Sequence, residues 1–278
     1  MAEVTFDAGR FDVRLSTRRL GRRRIALAET SSTNDAAWSA LGDGAPDGFA
    51  IVADAQTRGR GRSGRVWHTT PEHGLALSLL LREGLERRPV GVLPLAAGLA
   101  LVESLEALGV AAELKWPNDV LRSGRKLAGI LIESRGTQGA AGAVVIGVGV
   151  NVSQCEADFP AELCESGSDG ARLAPTSLAL EGFDLAREDV AAEFLNALEP
   201  WWDDLAARGG APAIEAWSRR ASFWGVRVRA HTASGPVEGI ARSLDDAGAL
   251  VIETDGGARV AVVAGDLEID RAREGSVP

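Results

Sequence analysis

The chain has 278 residues, 45% hydrophobic and 25% charged, with a net charge of -9 at pH 7. That balance is ordinary for a soluble globular protein and long enough for one large domain plus a small one. The acidic excess argues against broad nucleic-acid binding, no uninterrupted run of about 18 apolar residues marks a membrane span, and two cysteines make no disulfide framework, so a cytoplasmic setting is expected.

Arginines crowd the start of the chain, at Arg10, Arg14, Arg18, Arg19, Arg22, Arg23 and Arg24. Glu3, Asp7 and Asp12 interrupt them and no apolar stretch follows, so residues 1–23 read as a solvated leader rather than a transit peptide. Arg24 to Leu27 reads as a short strand. The hydroxyl cluster from Thr30 to Thr33 is suited to cap a helix from Asn34 to about Leu41. Strands follow at Phe49 to Ala53 and Leu75 to Leu81. Val92 to Leu108 has helical spacing, with Leu95, Leu99, Val102 and Leu108 on one face and Gly109 as its stop.

Further strands are expected near Leu114 to Trp116, Leu127 to Glu133 and Ala143 to Asn151. Residues 153–175 are loop-rich, punctuated by Gly167, Gly170 and Pro175, and contain both cysteines, Cys155 and Cys164. A long helical pattern runs from about Asp184 to Arg208 with Val190, Phe194, Leu198, Trp201 and Leu205 inward. Pro200 is expected to kink or break it. Ala213 to Arg220 reads as a short helix behind Pro212. After Trp224 come five short alternating segments, with Asp246-Ala247-Gly248 and Asp255-Gly256-Gly257 as turn signals. These suggest a small all-β barrel. The expected architecture is α+β with a β-barrel tail.

The most informative stretch is Gly59-Arg60-Gly61-Arg62-Ser63-Gly64-Arg65. Its glycines satisfy G-x-G-x-x-G, but the dinucleotide fingerprint needs a helix directly after it. Here Val66-Trp67-His68-Thr69-Thr70-Pro71 follows, so positive charge must come from guanidinium side chains. Such forks bind carboxylate and phosphate bidentately; a solvated basic hairpin tip is the alternative. Lys115-Trp116-Pro117-Asn118-Asp119 and Lys126 would put two lysines and an aspartate at one rim. That set suits triphosphate and Mg²⁺ chemistry, or an ordinary Pro-Asn-Asp turn. Gly147-Val148-Gly149-Val150-Asn151 ends a buried strand in an amide able to read a base edge, or is simply a glycine-bearing strand. No P-loop occurs, since Ile130 follows Gly129. His68 and His73 lack a nearby cysteine for zinc, and no G-x-S-x-G nucleophile elbow is present.

Taken in order, Ser32-Thr33-Asn34, Gln56 through Trp67, Lys115 through Asp119, Arg125 through Glu133 and Gly147 through Asn151 resemble the biotin protein ligases. The resemblance covers about residues 24 to 270. It implies a mixed sheet flanked by helices, the class II synthetase-like biotin/lipoate ligase catalytic domain over 24–222. A small C-terminal SH3-like β-barrel over 223–272 and a tail at 273–278 would follow. It also implies an ATP-dependent ligase that joins biotin to a lysine of a biotin carboxyl carrier domain through biotinyl-5′-AMP.

By the same resemblance, Ser32, Thr33, Asn34, Gln56, Arg60, Gly61, Arg62, Lys126 and Gly129 bind biotin. Arg60, Arg62, Arg65, Trp67, Lys115, Asn118, Asp119, Lys126 and Asn151 bind ATP, with Trp67 stacking on adenine. Arg62, Lys115, Asp119 and Lys126 carry the chemistry, and Asp119 is the candidate Mg²⁺ ligand. Before Ile25 there are too few residues for the helix-turn-helix domain of some family members, so specific DNA binding is not expected. Dimerisation stays open. A lipoate or octanoate ligase is the enzymatic rival; the polar Ser32, Thr33, Asn34 and Gln56 set favours a ureido ligand. A non-catalytic sensor of biotinyl-AMP is the other, and the Lys115, Asp119 and Lys126 set argues against it.

Overall fold

The computed structural model of the chain describes residues 3–137, 140–164 and 173–270. Seven strands build the central sheet: β1 (Arg24–Thr30), β2 (Phe49–Gln56), β3 (Gly74–Leu81), β4 (Glu113–Lys115), β5 (Asp119–Arg122), β6 (Arg125–Thr137) and β7 (Ala140–Asn151). Their order is β1-β2-β3-β7-β6-β5-β4, with β1 and β2 parallel and the other neighbours antiparallel. The sheet is mixed, as the resemblance implied.

Side-chain alternation along the strands sorts residues between two layers. Leu75, Leu77, Leu79 and Leu81 of β3, and Ile146, Val148 and Val150 of β7, join the main core. That core is covered by α3 (Leu93–Ala107), α5 (Arg187–Arg208) and α6 (Ala211–Arg220). The opposite face carries α2 (Thr33–Gly42), whose Ala37 and Trp38 pack on Ile51, Leu80, Ala143 and Val145. β3 is therefore buried on both faces, which accounts for its unbroken apolar run. Helix α2 covers only part of its face. Its first turn ends over Gly147, where Asn34 rests, and the sheet from there to Gly149 becomes the floor of the site.

Four expectations are corrected. Residues 3–20 are no solvated leader: Phe6, Phe11, Leu15 and Leu20 are buried in the main core, and α1 (Ala8–Arg14) lies on α5. Several of the arginines there pair with acids while staying partly open to solvent. Arg10 and Arg14 pair with Asp189, Arg14 with Glu193, and Arg18 and Arg19 with Asp203. Pro200 does not end its helix, since α5 runs through it as 22 residues; Trp201 packs against the core as expected, and its neighbour Trp202 is fully buried. Trp201 is half-buried and donates to Glu103, while Trp202 lies under the Arg88 guanidinium.

The hydroxyl cluster does not cap α2 either. Ser32 occupies the N-cap without a side-chain bond, and the Thr33 N–H donates to Gln56 Oε1 at 2.8 Å. Finally, residues Val90–Ala107 are long and apolar enough to cross a membrane by length and composition, yet 67% of that stretch is buried inside the protein. It is the central core helix, apolar over the turns that are enclosed and carrying Glu103 and Glu106 toward its exposed end.

Strands β8 (Arg227–Thr232), β9 (Gly235–Leu244), β10 (Leu250–Glu253), β11 (Arg259–Val262) and β12 (Asp266–Ile269) form a separate antiparallel sheet in the order β11-β10-β9-β8-β12. Trp217, Phe223 and Trp224 stack in a cluster where α6 meets this unit. The unit also reaches toward the first sheet. Trp116 Nε1 donates to the Gly248 carbonyl at 3.3 Å, and Asp266 accepts from Arg65 Nη2 at 2.5 Å. Gly167 and Gly170, the tail at 273–278 and the expected domain end at 272 lie outside the described residues. Cys155 and Cys164 are free and exposed.

Candidate active site

A cavity of about 420 Å³ opens over the glycine-bearing part of the sheet. Its floor follows from register. Gly129 of β6 lies opposite Gly149 of β7, and Leu131 opposite Gly147. A Cβ on Gly149 would stand 2.4 Å from Cε2 of Trp67, and one on Gly147 would stand 2.3 Å from Oδ1 of Asn34. The two glycines therefore seat one indole and one carboxamide flat against the sheet. A Cβ on Gly129 would also touch Trp67, at 3.3 Å.

One end of the cavity is neutral and rich in hydrogen-bonding groups. Ser32, Thr33 and Asn34 enter from the start of α2 and are nearly fully buried. Gln56 Oε1 accepts from both the N–H and the hydroxyl of Thr33, and its Nε2 donates to Thr69 Oγ1 at 3.2 Å. Ser78, on the same face of β3, lies 2.7 Å from Thr33 Oγ1 and 2.6 Å from Asn34 Oδ1. The Asn34 Nδ2 is buried without a hydrogen-bond partner among the described residues. A buried amide donor left unpaired is costly, and an acceptor on a ligand would relieve it.

The other end is cationic. The arginine-glycine loop is a hairpin closed by an Arg60–Val66 bridge, with a single 3₁₀ turn at Arg62–Gly64 and no α-helix after it. Arg62 Nη1 donates to Asn118 Oδ1 at 3.2 Å and makes no salt bridge among the described residues. Burial pushes its pKa below the ordinary arginine value, against the pull of Asp266 and Asp119. Lys126 Nζ sits 2.7 Å from Asp119 Oδ1 and 5.8 Å from the centroid of the Trp67 ring. Lys115 is opposite Asp119 in the β4–β5 register and only 8% exposed. Burial lowers its pKa, Asp119 raises it and Lys126 lowers it. Arg62 and Lys115 are thus cations with too little negative charge around them, which is the electrostatic condition of an anion seat.

The structure distributes the other expected residues unevenly. Gly61 lines the cavity beside Arg62. Arg60 lines it as well, but its guanidinium is engaged by Asp35, with Nη1 2.7 and 2.6 Å from the two oxygens, and by Glu133 at 2.9 Å. Arg65 turns to Asp266 instead. Asn118 is built into the fold, its Nδ2 donating to the Ile130 carbonyl at 2.6 Å. Asn151 lines the cavity with both ends of its amide used. It donates to the Thr176 carbonyl at 2.9 Å and accepts from Gln154 at 3.3 Å.

Sequence reasoning missed Ser78, Asp35 and Glu133, which come from neighbouring elements and carry no local signal. It also gave no role to residues 154–175. Phe159, Pro160, Glu162, Leu163, Leu173 and Pro175 wall the cavity, and Lys126 is stitched to this segment by backbone bonds to Ala174 and Thr176. Among the described residues no group of three or more His, Cys, Asp or Glu side chains is placed to hold a metal.

Residues 26–151 match the biotin/lipoate A/B protein ligase family, and residues 223–269 match the biotin protein ligase C-terminal domain. The chain is 37% identical over 254 residues to the biotin–[acetyl-CoA-carboxylase] ligase of Mycobacterium tuberculosis, covering 88% of each. It is 34% identical over 256 residues to the bifunctional ligase/repressor BirA of Bacillus subtilis, covering 92% of this chain and 76% of that protein. Among solved structures, a biotin protein ligase from Aquifex aeolicus in complex with biotin and ATP superposes with a TM-score of 0.73 at 27% identity. That match covers 89% of this chain and 98% of the other. The chain therefore belongs to the biotin/lipoate A/B protein ligase family, on its biotin protein ligase branch.

Proposed function

We propose that this cavity activates biotin with ATP and passes it to a lysine of a biotin carboxyl carrier domain. The single observation that carries the reading is the two-ended cavity: an unpaired buried amide donor at Asn34 at one end, the under-compensated Arg62 at the other. A ureido ring is both donor and acceptor and suits Ser32, Thr33, Asn34 and Gln56. A carboxylate and a phosphate suit Arg62 and Lys126, with Lys115 behind them.

In the first half-reaction a biotin carboxylate oxygen attacks the α-phosphorus of ATP and pyrophosphate leaves. Two anions must approach, so positive charge fixed at that point lowers the barrier. Lys126 supplies it from β6 and Arg62 from the hairpin. Trp67, flat on Gly129 and Gly149, offers its outer face to adenine. In the second half-reaction the carrier lysine attacks the acyl carbon and AMP leaves; no enzyme nucleophile takes part.

For Mg²⁺ the donor set fits one role. Asp119 is a lone carboxylate, so it suits an ion that keeps its waters and arrives on the phosphates, which is how Mg²⁺ is commonly held. Such an ion would neutralise phosphate charge. Specific DNA binding finds no support in the N-terminal arginines, since five of them (Arg10, Arg14, Arg18, Arg19 and Arg24) are paired with acids. The carrier domain as partner rests on the family; whether the chain dimerises is a matter for solution measurement.

The test is pyrophosphate–ATP exchange with Mg²⁺, run in parallel with biotin, lipoate and octanoate. Exchange with biotin alone is expected. Exchange with lipoate or octanoate alone would move the chain to the sister activity, and biotin binding without exchange would favour a sensor of the adenylate.

A further inference from the structure

Of the thirty basic residues in the sequence, 28 are arginine and two are lysine. Both lysines, Lys115 and Lys126, lie at the proposed anion seat, so every other basic position of the chain is a guanidinium. This contrast has a chemical meaning for an enzyme whose intermediate is an acyl phosphate anhydride. Such an anhydride acylates free amines without help: nitrogen bonds to the acyl carbon, the acyl–oxygen bond to phosphate breaks, AMP departs, and the ammonium proton passes to water. A guanidinium stays protonated and delocalised at every accessible pH and offers no nitrogen lone pair.

We propose that the near-exclusion of lysine leaves the enzyme's own surface with almost no amine to compete for its activated intermediate, so that amide-forming transfer is reserved for an amine brought by an acceptor; the exposed thiols of Cys155 and Cys164 could form only labile thioesters. The proposal rests on the adenylate-forming reading above. It assigns a specificity role to the basic residues outside the cavity, not to any one of them.

Three features of the structure bear on it. Lys126 is ion-paired with Asp119 at 2.7 Å, and an ammonium held in a pair has no lone pair to attack with. Lys115 is 8% exposed and does not line the cavity, so it is out of reach of the intermediate. The positions where a surface lysine would be most dangerous are filled with arginine. Arg58 is exposed and sits between Gln56 and Arg60, both of which line the cavity; its backbone is anchored by a bond to Ser31. Where arginine also does structural work, its planar fork bonds two acceptors at once, as Arg60 does with Asp35 and Glu133. Among the described residues Arg58 makes no side-chain hydrogen bond or ion pair that would itself call for arginine.

The experiment compares the wild type, Arg58→Lys near the cavity mouth and Arg259→Lys on the distant sheet, where Arg259 is 72% exposed. Each is incubated without acceptor, in one arm with biotin, ATP and Mg²⁺ and in a second with preformed biotinyl-5′-AMP. Intact mass and peptide mapping read the acylated sites. In both arms, after hydroxylamine has cleaved any thioester at Cys155 or Cys164, the wild type should carry no label outside Lys115, Lys126 and the chain's α-amine. With preformed adenylate both variants should gain label at the substituted position. In the ATP arm Arg58→Lys should gain more than Arg259→Lys. Because only the neutral amine reacts, that label should rise about tenfold per pH unit below the ordinary lysine pKa.

Label elsewhere on the wild type would overturn the proposal. So would unlabelled variants in the preformed-adenylate arm, provided an amine-reactive ester modifies the same position. Failure of the ATP arm alone, with the second arm behaving as expected, would count against the adenylate-forming reading and leave the inert surface standing.

Discussion

Replacing Gly149 by alanine should damage nucleotide binding while leaving the fold almost untouched. The new Cβ would stand 2.4 Å from Cε2, 2.6 Å from Nε1 and 2.7 Å from Cζ2 of Trp67. Ordinary carbon contacts lie at about 3.5–4.0 Å, so the indole must rise by about 1 Å or leave its seat. The backbone has no objection, because Gly149 is not among the positive-φ glycines. Alanine in a strand is even favoured over glycine by about 0.5–1 kcal/mol. Trp67 is half-buried and carried on a hairpin rather than in the core, so moving it costs little stability.

The consequence falls on the ligand. Stacking of a base on an aromatic ring contributes roughly 1–3 kcal/mol, so ATP affinity should drop by about 5- to 150-fold, with the melting temperature shifted by only a few degrees. Calorimetric ATP titration of Gly149→Ala, Trp67→Ala and the double variant measures this. If both substitutions act through the same contact, the double variant should be no worse than Trp67→Ala. Additive losses would refute the floor-and-stack reasoning, and so would unchanged ATP affinity in a folded Gly149→Ala protein.

Arg62→Ala should weaken retention of biotinyl-AMP more than it weakens biotin binding. A charge-assisted hydrogen bond is worth about 1.5–3 kcal/mol, so the adenylate should dissociate about 10- to 150-fold faster in a chase experiment. Lys126→Ala should suppress pyrophosphate exchange by about 10²–10³; near-normal exchange would remove Lys126 from the adenylation step.

Acid should loosen the N-terminal segment from α5. Burial penalises the Glu199 carboxylate, but the backbone N–H groups of Arg18, Leu20 and Arg19 outweigh that and hold it below its usual range. A hydrogen bond from Arg10 does the same for Asp189, against burial and with help from the Arg10 and Arg14 charges. Both folded values are depressed. Their stabilisation is therefore complete above the unfolded values of about 4.3 and 3.9 and disappears as pH falls through the folded ones. Hydrogen exchange over residues 3–20 should accelerate below that range, and Glu199→Gln should bring the loosening to neutral pH. Unchanged protection in both cases would show that the buried Phe6, Phe11, Leu15 and Leu20 suffice.

The amino-acid sequence by itself determined most of the elements, though not α1 or β5, and most of the site's cast. Period-2 and period-3.6 patterns located the sheet strands, the central helix and the C-terminal strands, because each reflects a face that must be buried. The ordered motifs around Ser32, Gln56, Arg62, Lys115 and Lys126 were legible because their residue types are unusual together and stand close in sequence.

Only tertiary structure decided what each charge is for. Arg10, Arg18, Arg60 and Arg62 look alike in sequence. Three of them meet carboxylates from α5, from α2 or from β6, and Arg62 is left without one. Which arginine is under-compensated depends on acids 25 to 185 positions away, and local spacing carries no record of those. The same holds for the leader, which is polar in composition yet buries Phe6, Phe11, Leu15 and Leu20 in the main core. It holds too for Gly147 and Gly149, whose purpose appears only when Asn34 and Trp67 are laid against them.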